Sequence, residues 1–233
     1  MNLKTFELPY GNHLLKGDLY ASAQVDCSTI ILHGAGKSSR TTFSRLRYHL
    51  CLNGFSSVGF DFVGHGETGG EIQETTLRGR TEQAAEVIKH KCQGPLTLIG
   101  ASMGAYSAVK LTEHFEVENL ILLVPAVYTP RAYEVPFGPR FSAMIREPES
   151  WADSDAFDTL SNFAGSIIII AAEFDDVIPS KLIDQLYAST IRAKKRNLHV
   201  VPDSRHLSLF PQEKDFHEAM DLLLAVLEDR KGL

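Results

Sequence analysis

Ser102 stands in Gly100-Ala101-Ser102-Met103-Gly104, a G-x-S-x-G spacing between the apolar run Leu96-Thr97-Leu98-Ile99 and the helix-forming stretch Tyr106-Ser107-Ala108-Val109-Lys110-Leu111. A serine on a sharp strand-to-helix turn projects its hydroxyl above the sheet edge. Glycines two positions either side leave room for the strained backbone and its neighbours. Ser102 is therefore the candidate nucleophile for attack on a carbonyl carbon. The letters alone arise by chance in about one chain of this length in ten, so the flanks and the partner residues carry the argument.

A serine hydroxyl needs a base, and the base needs an acid to orient it; on a strand-turn-helix scaffold the three follow in the order serine, acid, histidine. After the apolar residues 167–170 comes Ala172-Glu173-Phe174-Asp175-Asp176-Val177-Ile178-Pro179, which sets carboxylates at the C-terminal end of a strand, where ligand sites of open α/β sheets lie. Either Asp175 or Asp176 fits the acid role. After Leu198-His199-Val200-Val201 comes Pro202-Asp203-Ser204-Arg205-His206, so His206 falls on a loop before the last helical segment. His13, His49, His90, His114 and His217 have no partner motif and read as solvent-facing, and His199 sits inside a strand. Upstream, residues 29–32 run into His33-Gly34-Ala35-Gly36. That turn can aim the Ala35 N–H at the same point as the Met103 N–H, forming an oxyanion hole.

Three other patterns compete. Gly36-Lys37-Ser38 ends like a phosphate-binding loop, but the required first glycine falls on Ile31. Gly64-His65-Gly66-Glu67-Thr68-Gly69 matches G-x-G-x-x-G after a strand, yet it continues into Gly70-Glu71-Ile72-Gln73-Glu74 rather than opening a helix at its last glycine. Asp175-Asp176 lacks a nearby H-x-H or second carboxylate pair, so no metal is expected. Nothing calls for a cofactor.

The positioning elements follow from periodicity. Residues 4–8 and 13–21 read as an antiparallel hairpin turning at Tyr10-Gly11-Asn12. Six short runs rich in β-branched residues, 29–32, 57–60, 96–99, 120–124, 167–170 and 198–201, read as strands covered on both faces. Between them, residues 43–52, 81–91, 105–114 and 182–191 have helical spacing, and 214–229 places Phe216, Met220, Leu223, Leu224 and Leu227 on one stripe. This alternation predicts an α/β doubly wound, mostly parallel sheet of about eight strands. Residues 127–165 carry Pro130, Pro136, Pro139 and Pro148 with the aromatics Tyr128, Tyr133, Phe137, Phe141, Trp151 and Phe157. The stretch is too long for a connection and too aromatic for a disordered linker, so it is expected to be a small lid with helical pieces. Its Arg131, Arg140 and Arg146 read as solvent-facing.

The 233 residues, with 44% apolar and 22% charged, fit one globular domain spanning 1–233. A net charge of −6 argues against nucleic acid, which needs a basic stripe. The dense cluster Arg192-Ala193-Lys194-Lys195-Arg196 reads as a solvated helix C-terminus. Cys27, Cys51 and Cys92 make neither a disulfide framework nor a zinc set. The first twenty residues lack a secretory apolar core and no run is long enough to span a membrane. A cytoplasmic location is expected, and nothing in the composition forces a dimer.

Together, the His33 to Gly36 turn, Asp61-Phe62-Val63-Gly64-His65-Gly66-Glu67-Thr68, the Gly100 to Gly104 turn, Asp175 to Pro179 and His206 resemble the α/β-hydrolase superfamily. The chain is similar to its compact monoglyceride-lipase-like and feruloyl-esterase-like serine hydrolases over nearly all its length except the lid. The resemblance implies the α/β-hydrolase fold with the triad Ser102, Asp175 and His206. It selects Asp175 because the acid of such families lies four residues before the proline of D-x-x-x-P. It also implies that Asp61 and the Gly64-His65-Gly66 turn support the site and that His33 is a packed loop residue. The activity implied is cofactor-free hydrolysis of carboxylic esters of small to medium acyl or aryl groups through an acyl-enzyme. Thioesterase, peptidase, acyltransferase and non-catalytic ligand-binding roles share the scaffold.

Overall fold

In the pairs Ile30/Ile31, Leu98/Ile99, Leu120/Ile121, Leu122/Leu123, Ile167/Ile168 and Ile169/Ile170, the first residue packs into one buried cluster and the second into another. Both faces of these strands are covered, which is why their sequences are continuously apolar. The computed structural model describes residues 2–23 and 27–228. The strands are β1 (Asn2–Tyr10), β2 (His13–Ala21), β3 (Thr29–Leu32), β4 (Ser57–Phe60), β5 (Leu96–Ala101), β6 (Val117–Leu123), β7 (Ser166–Ala172) and β8 (Lys195–Val201). They form one sheet in the order β1, β2, β4, β3, β5, β6, β7, β8. The β1–β2 hairpin is antiparallel, β2 joins β4 antiparallel, and every later pairing is parallel. Crossing from β3 to β5 skips β4, so the C-terminal ends of β3 and β5 lie side by side, with Leu32 opposite Gly100.

Helices α1 (Ser44–Leu52) and α7 (Glu213–Glu228) cover one face through Leu46, Leu50, Phe216, Met220, Leu223 and Leu227. Leu224, predicted on the α7 stripe, is only half-buried, and the predicted end at Asp229 lies outside the described residues. The opposite face is covered by α2 (Leu77–Lys91), α3 (Met103–Leu111) and α6 (Ser180–Ser189). Helix α2 starts four residues before its expected position. Thr76 caps it by accepting the Gly79 N–H at 2.9 Å, and a glycine in a first turn masks a helical pattern. The basic cluster is not a helix end: α6 stops at Ser189, and Lys195 and Arg196 open β8, the sheet's edge strand. Charge on an edge strand opposes pairing with other chains.

Between β6 and β7 run a short 3₁₀ turn (Pro130–Ala132), α4 (Pro139–Ile145) and α5 (Ala156–Asn162). The aromatic content is explained by packing: Tyr128, Phe137, Phe141 and Trp151 are buried, and the Phe137 and Phe141 rings meet edge to face at 4.7 Å. The Tyr106 hydroxyl of α3 donates to Asp155 at 2.7 Å, and Arg78 N–H of α2 donates to Tyr133 O at 2.9 Å. Arg131, Arg140 and Arg146 are exposed.

Candidate active site

The turn from β5 into α3 holds Ser102 at φ 49°, ψ −120°, a conformation that side-chain-bearing residues rarely adopt. Its neighbours over-determine it. Ser102 N–H donates to Leu123 O at 2.9 Å, while its carbonyl accepts Ala105 N–H at 3.0 Å and Ala126 N–H at 3.2 Å. The two motif glycines are contact requirements. A methyl group on Gly104 would lie 2.2 Å from Leu32 O, and one on Gly100 would lie 2.6 Å from Ala105 Cα.

Two loops from distant parts of the chain reach this serine. His206 Nε2 is 3.0 Å from Ser102 Oγ, and His206 Nδ1 is 2.9 Å from Asp175 Oδ2. Asp175 Oδ1 accepts the Val177 N–H at 2.9 Å and the Ile178 N–H at 2.8 Å. Burial alone would raise the Asp175 carboxyl, but the His206 hydrogen bond and these two N–H groups outweigh it and hold the group below its usual range. An ionised Asp175 can only accept, so Nδ1 carries the imidazole proton and Nε2 is free to accept from the serine hydroxyl. Asp176 is exposed and points its charge to solvent. Of the two carboxylates left open by the chain order, the structure brings Asp175 to His206.

Ser204 was not signalled by any motif, yet it joins the acid and histidine loops. Fully buried, it accepts the Glu173 N–H at 3.2 Å and donates to Val201 O at 2.7 Å, while its carbonyl accepts Phe174 N–H at 2.9 Å. A serine three residues after a strand run and two before a candidate histidine is the only trace of it in the sequence.

Beyond β3, the His33-Gly34-Ala35 turn lies directly against the serine: a methyl on Gly34 would be 3.2 Å from Ser102 Cβ. Met103 opens α3, and a first-turn N–H has no acceptor within its helix. His33 is fully buried. Its Nδ1–H donates to Gly34 O at 2.7 Å and its Nε2 accepts Phe62 N–H at 3.2 Å. Burial, together with the nearby Arg80 charge, holds His33 well below its ordinary value, so it is a neutral tie rather than a base. Asp61 supports the same region, accepting Arg40 N–H at 2.8 Å and Glu67 N–H at 3.0 Å, besides a close ion pair with the Arg40 guanidinium. A methyl on Gly66 would sit 2.3 Å from the Asp61 carboxylate, so the apparent dinucleotide fingerprint is a tight turn around an ion pair.

Of the histidines expected to face solvent, His90, His114 and His217 are exposed. His13 and His49 are half-buried, the former 3.7 Å from Glu74 and the latter edge-on to Phe216. Phe174, Val177 and Leu207, on the acid and histidine loops, are exposed apolar side chains, Leu207 at 97%. A cavity of about 220 Å³ lined by Tyr10, His13, Glu74, Thr75 and Arg78 includes none of Ser102, Asp175 and His206. Among the described residues no three His, Cys, Asp or Glu side chains are grouped to hold a metal ion, and no helix is long and apolar enough to cross a membrane.

This sheet order, with a strained serine between β5 and α3 and the acid and histidine after β7 and β8, defines an α/β hydrolase. The model of the serine aminopeptidase S33 family matches residues 23–149, and the chain belongs to that family. Solved structures with the same fold include Est1E from Butyrivibrio proteoclasticus with ferulic acid bound (18% identity, 96% of this chain and 99% of that one, TM-score 0.76). The esterase EaEST from Exiguobacterium antarcticum is similar at 20% identity, 92% and 96% coverage and TM-score 0.70. A thioesterase domain from the curacin biosynthetic pathway is similar at 15% identity, 97% and 100% coverage and TM-score 0.71. No curated protein sequence matches the chain.

Proposed function

We propose that the protein is a serine esterase that hydrolyses carboxylic esters of small to medium acyl or aryl groups through an acyl-enzyme on Ser102. The observation that carries this reading is the unbroken relay from Asp175 through His206 to Ser102, with contacts of 2.9 and 3.0 Å. His206 Nε2 takes the Ser102 proton as Oγ attacks the ester carbonyl. Asp175 stabilises the imidazolium, and the Ala35 and Met103 N–H groups receive the developing negative oxygen. As the tetrahedral intermediate collapses, the ester C–O bond breaks and His206 returns the proton to the departing alcohol oxygen. A water molecule, deprotonated by His206, then attacks the acyl carbon; Ser102 leaves with that proton and the acid product is released.

Residues 127–165 act in this reading as the lid of a single catalytic domain. Their buried rings Tyr128, Phe137 and Phe141, with exposed Phe174, Val177 and Leu207 on the catalytic loops, favour apolar acyl or aryl groups over charged ones. The substrate is a small molecule, and the chemistry needs no cofactor. Kinetics on p-nitrophenyl esters of increasing chain length, methyl ferulate, a monoacylglycerol, an acyl thioester and an aminoacyl anilide test the substrate class. Turnover is expected on the oxygen esters, with kcat reduced about 10⁶-fold in Ser102→Ala. Faster turnover of the thioester or the anilide would replace esterase by thioesterase or aminopeptidase.

A further inference from the structure

Arg80, in the first turn of α2, has no exposed surface, and its guanidinium carbon lies 3.7 Å from the Phe62 ring centroid. Its Nη2 donates to two consecutive carbonyls, His33 O at 2.6 Å and Gly34 O at 3.1 Å. Nε and Nη1 are buried with no hydrogen-bond partner. Among the described residues no carboxylate balances its charge. Burial pushes the guanidinium down to about 9, which leaves it protonated at neutral pH. A buried cation with neither counter-charge nor complete hydrogen bonding is costly, so its place beside the proposed oxyanion loop calls for a use.

Gly34 C=O and Ala35 N–H belong to one peptide unit, and in a trans peptide they point in opposite directions. Two donors hold that carbonyl from behind: Arg80 Nη2 at 3.1 Å and His33 Nδ1 at 2.7 Å. The peptide plane cannot rotate without breaking both. The Ala35 N–H is thereby directed away from Arg80, in the loop whose Gly34 abuts Ser102. A positive charge on the carbonyl side also polarises the amide and strengthens its N–H as a donor.

We propose that Arg80 is a positioning residue of the oxyanion hole, aiming and polarising the Ala35 N–H through the Gly34–Ala35 peptide. The proposal rests on the serine-hydrolase reading above. It accounts for the missing counter-charge: the negative oxygen that would balance Arg80 exists only in the transition state, so the interaction strengthens where catalysis needs it.

The test compares wild type, Arg80→Met and Arg80→Lys by ester kinetics and by the inhibition constant of a trifluoromethyl ketone, which forms a tetrahedral oxyanion on the serine. Labelling of the wild type by a fluorophosphonate is measured alongside. Arg80→Met is expected to lower kcat about 10- to 100-fold with KM within about 3-fold, less than the loss of a direct donor. The ketone is expected to weaken in proportion to kcat/KM, and Arg80→Lys to recover most of both losses. A folded Arg80→Met with unchanged kcat, or with lowered kcat but unchanged ketone affinity, would reduce Arg80 to a packing tie and overturn the proposal. If Arg80→Met does not fold, Arg80→Gln, which removes the charge, decides: parallel losses of about 3-fold or more in kcat and ketone affinity support the proposal, and smaller or unequal losses refute it. An inert Ser102 in the wild type would remove the hydrolase reading, and this proposal with it.

Discussion

Ser204 and Glu173 join the two loops that meet at the proposed base: the Ser204 hydroxyl accepts the Glu173 N–H at 3.2 Å, and the Glu173 carboxylate accepts the Asp203 N–H at 2.8 Å. Asp175 and His206 each stand two residues beyond one end of this tie. Their 2.9 Å contact is therefore set by backbone geometry as well as by mutual attraction. Ser204→Ala should lower kcat about 10-fold, because small misplacements of reacting groups are expensive. The lost hydrogen bonds should cost about 1–3 kcal/mol of stability. Steady-state kinetics and urea unfolding on the same preparation check both numbers.

Asp175 and Asp176 are adjacent in sequence and differ completely in surroundings. Asp175→Asn should reduce kcat about 10⁴-fold by leaving His206 without an acceptor for Nδ1–H. Asp176→Asn, which removes an exposed charge, should stay within about 2-fold, since surface changes of this kind are usually near neutral. Equal losses in the two variants would reject the assignment of Asp175.

Much of this arrangement was legible in the chain itself, and the misses have physical causes. Strands covered on both faces announce themselves as apolar runs, and G-x-S-x-G with a later histidine loop marks where the sheet's ends converge. Chain order alone could not separate Asp175 from Asp176, because alternation along a loop carries no period; the resemblance selects Asp175, and Asp175 is the one that lies 2.9 Å from His206. The start of α2 was obscured by Gly79, whose place in the first turn is set by the Thr75 hydroxyl, 2.5 Å from where a methyl would lie. Arg80 was invisible for a related reason: with the helix expected from residue 81 it fell just outside, where an arginine ordinarily reads as solvated. Ser204 acts through contacts made across some thirty residues, which no local pattern encodes.

Gly104 packs its Cα against the β3 carbonyls, and Gly104→Ala would force a methyl to 2.2 Å from Leu32 O and 2.7 Å from His33 O. Both atoms are backbone and cannot swing aside. The substitution should destabilise the fold by about 1–3 kcal/mol, the usual range for overpacking. It should also push the Ala35 turn away from Ser102. Guanidinium unfolding measures the first effect, and kcat on the folded protein measures the second.

Acid should weaken the protein in two windows. His33 and His65 are lowered by burial, so below about pH 6.5 the unfolded chain takes up protons that the folded one does not, and stability falls as pH falls. Asp175 is depressed in the folded state, so its contribution is complete above its ordinary 3.8 and is lost as pH drops through the folded value. Denaturant midpoints from pH 3 to 8 should show both slopes. His33→Gln should flatten the upper one and leave the lower one in place.

With His206 Nε2 3.0 Å from its Oγ, Ser102 should behave as an activated nucleophile. Incubating the folded protein with a fluorophosphonate and mapping the adduct by peptide mass spectrometry tests it most directly. One stoichiometric adduct on Ser102 is expected, formed at a rate that falls steeply in His206→Ala. A folded, unlabelled Ser102, or labelling that is indifferent to His206, would contradict it.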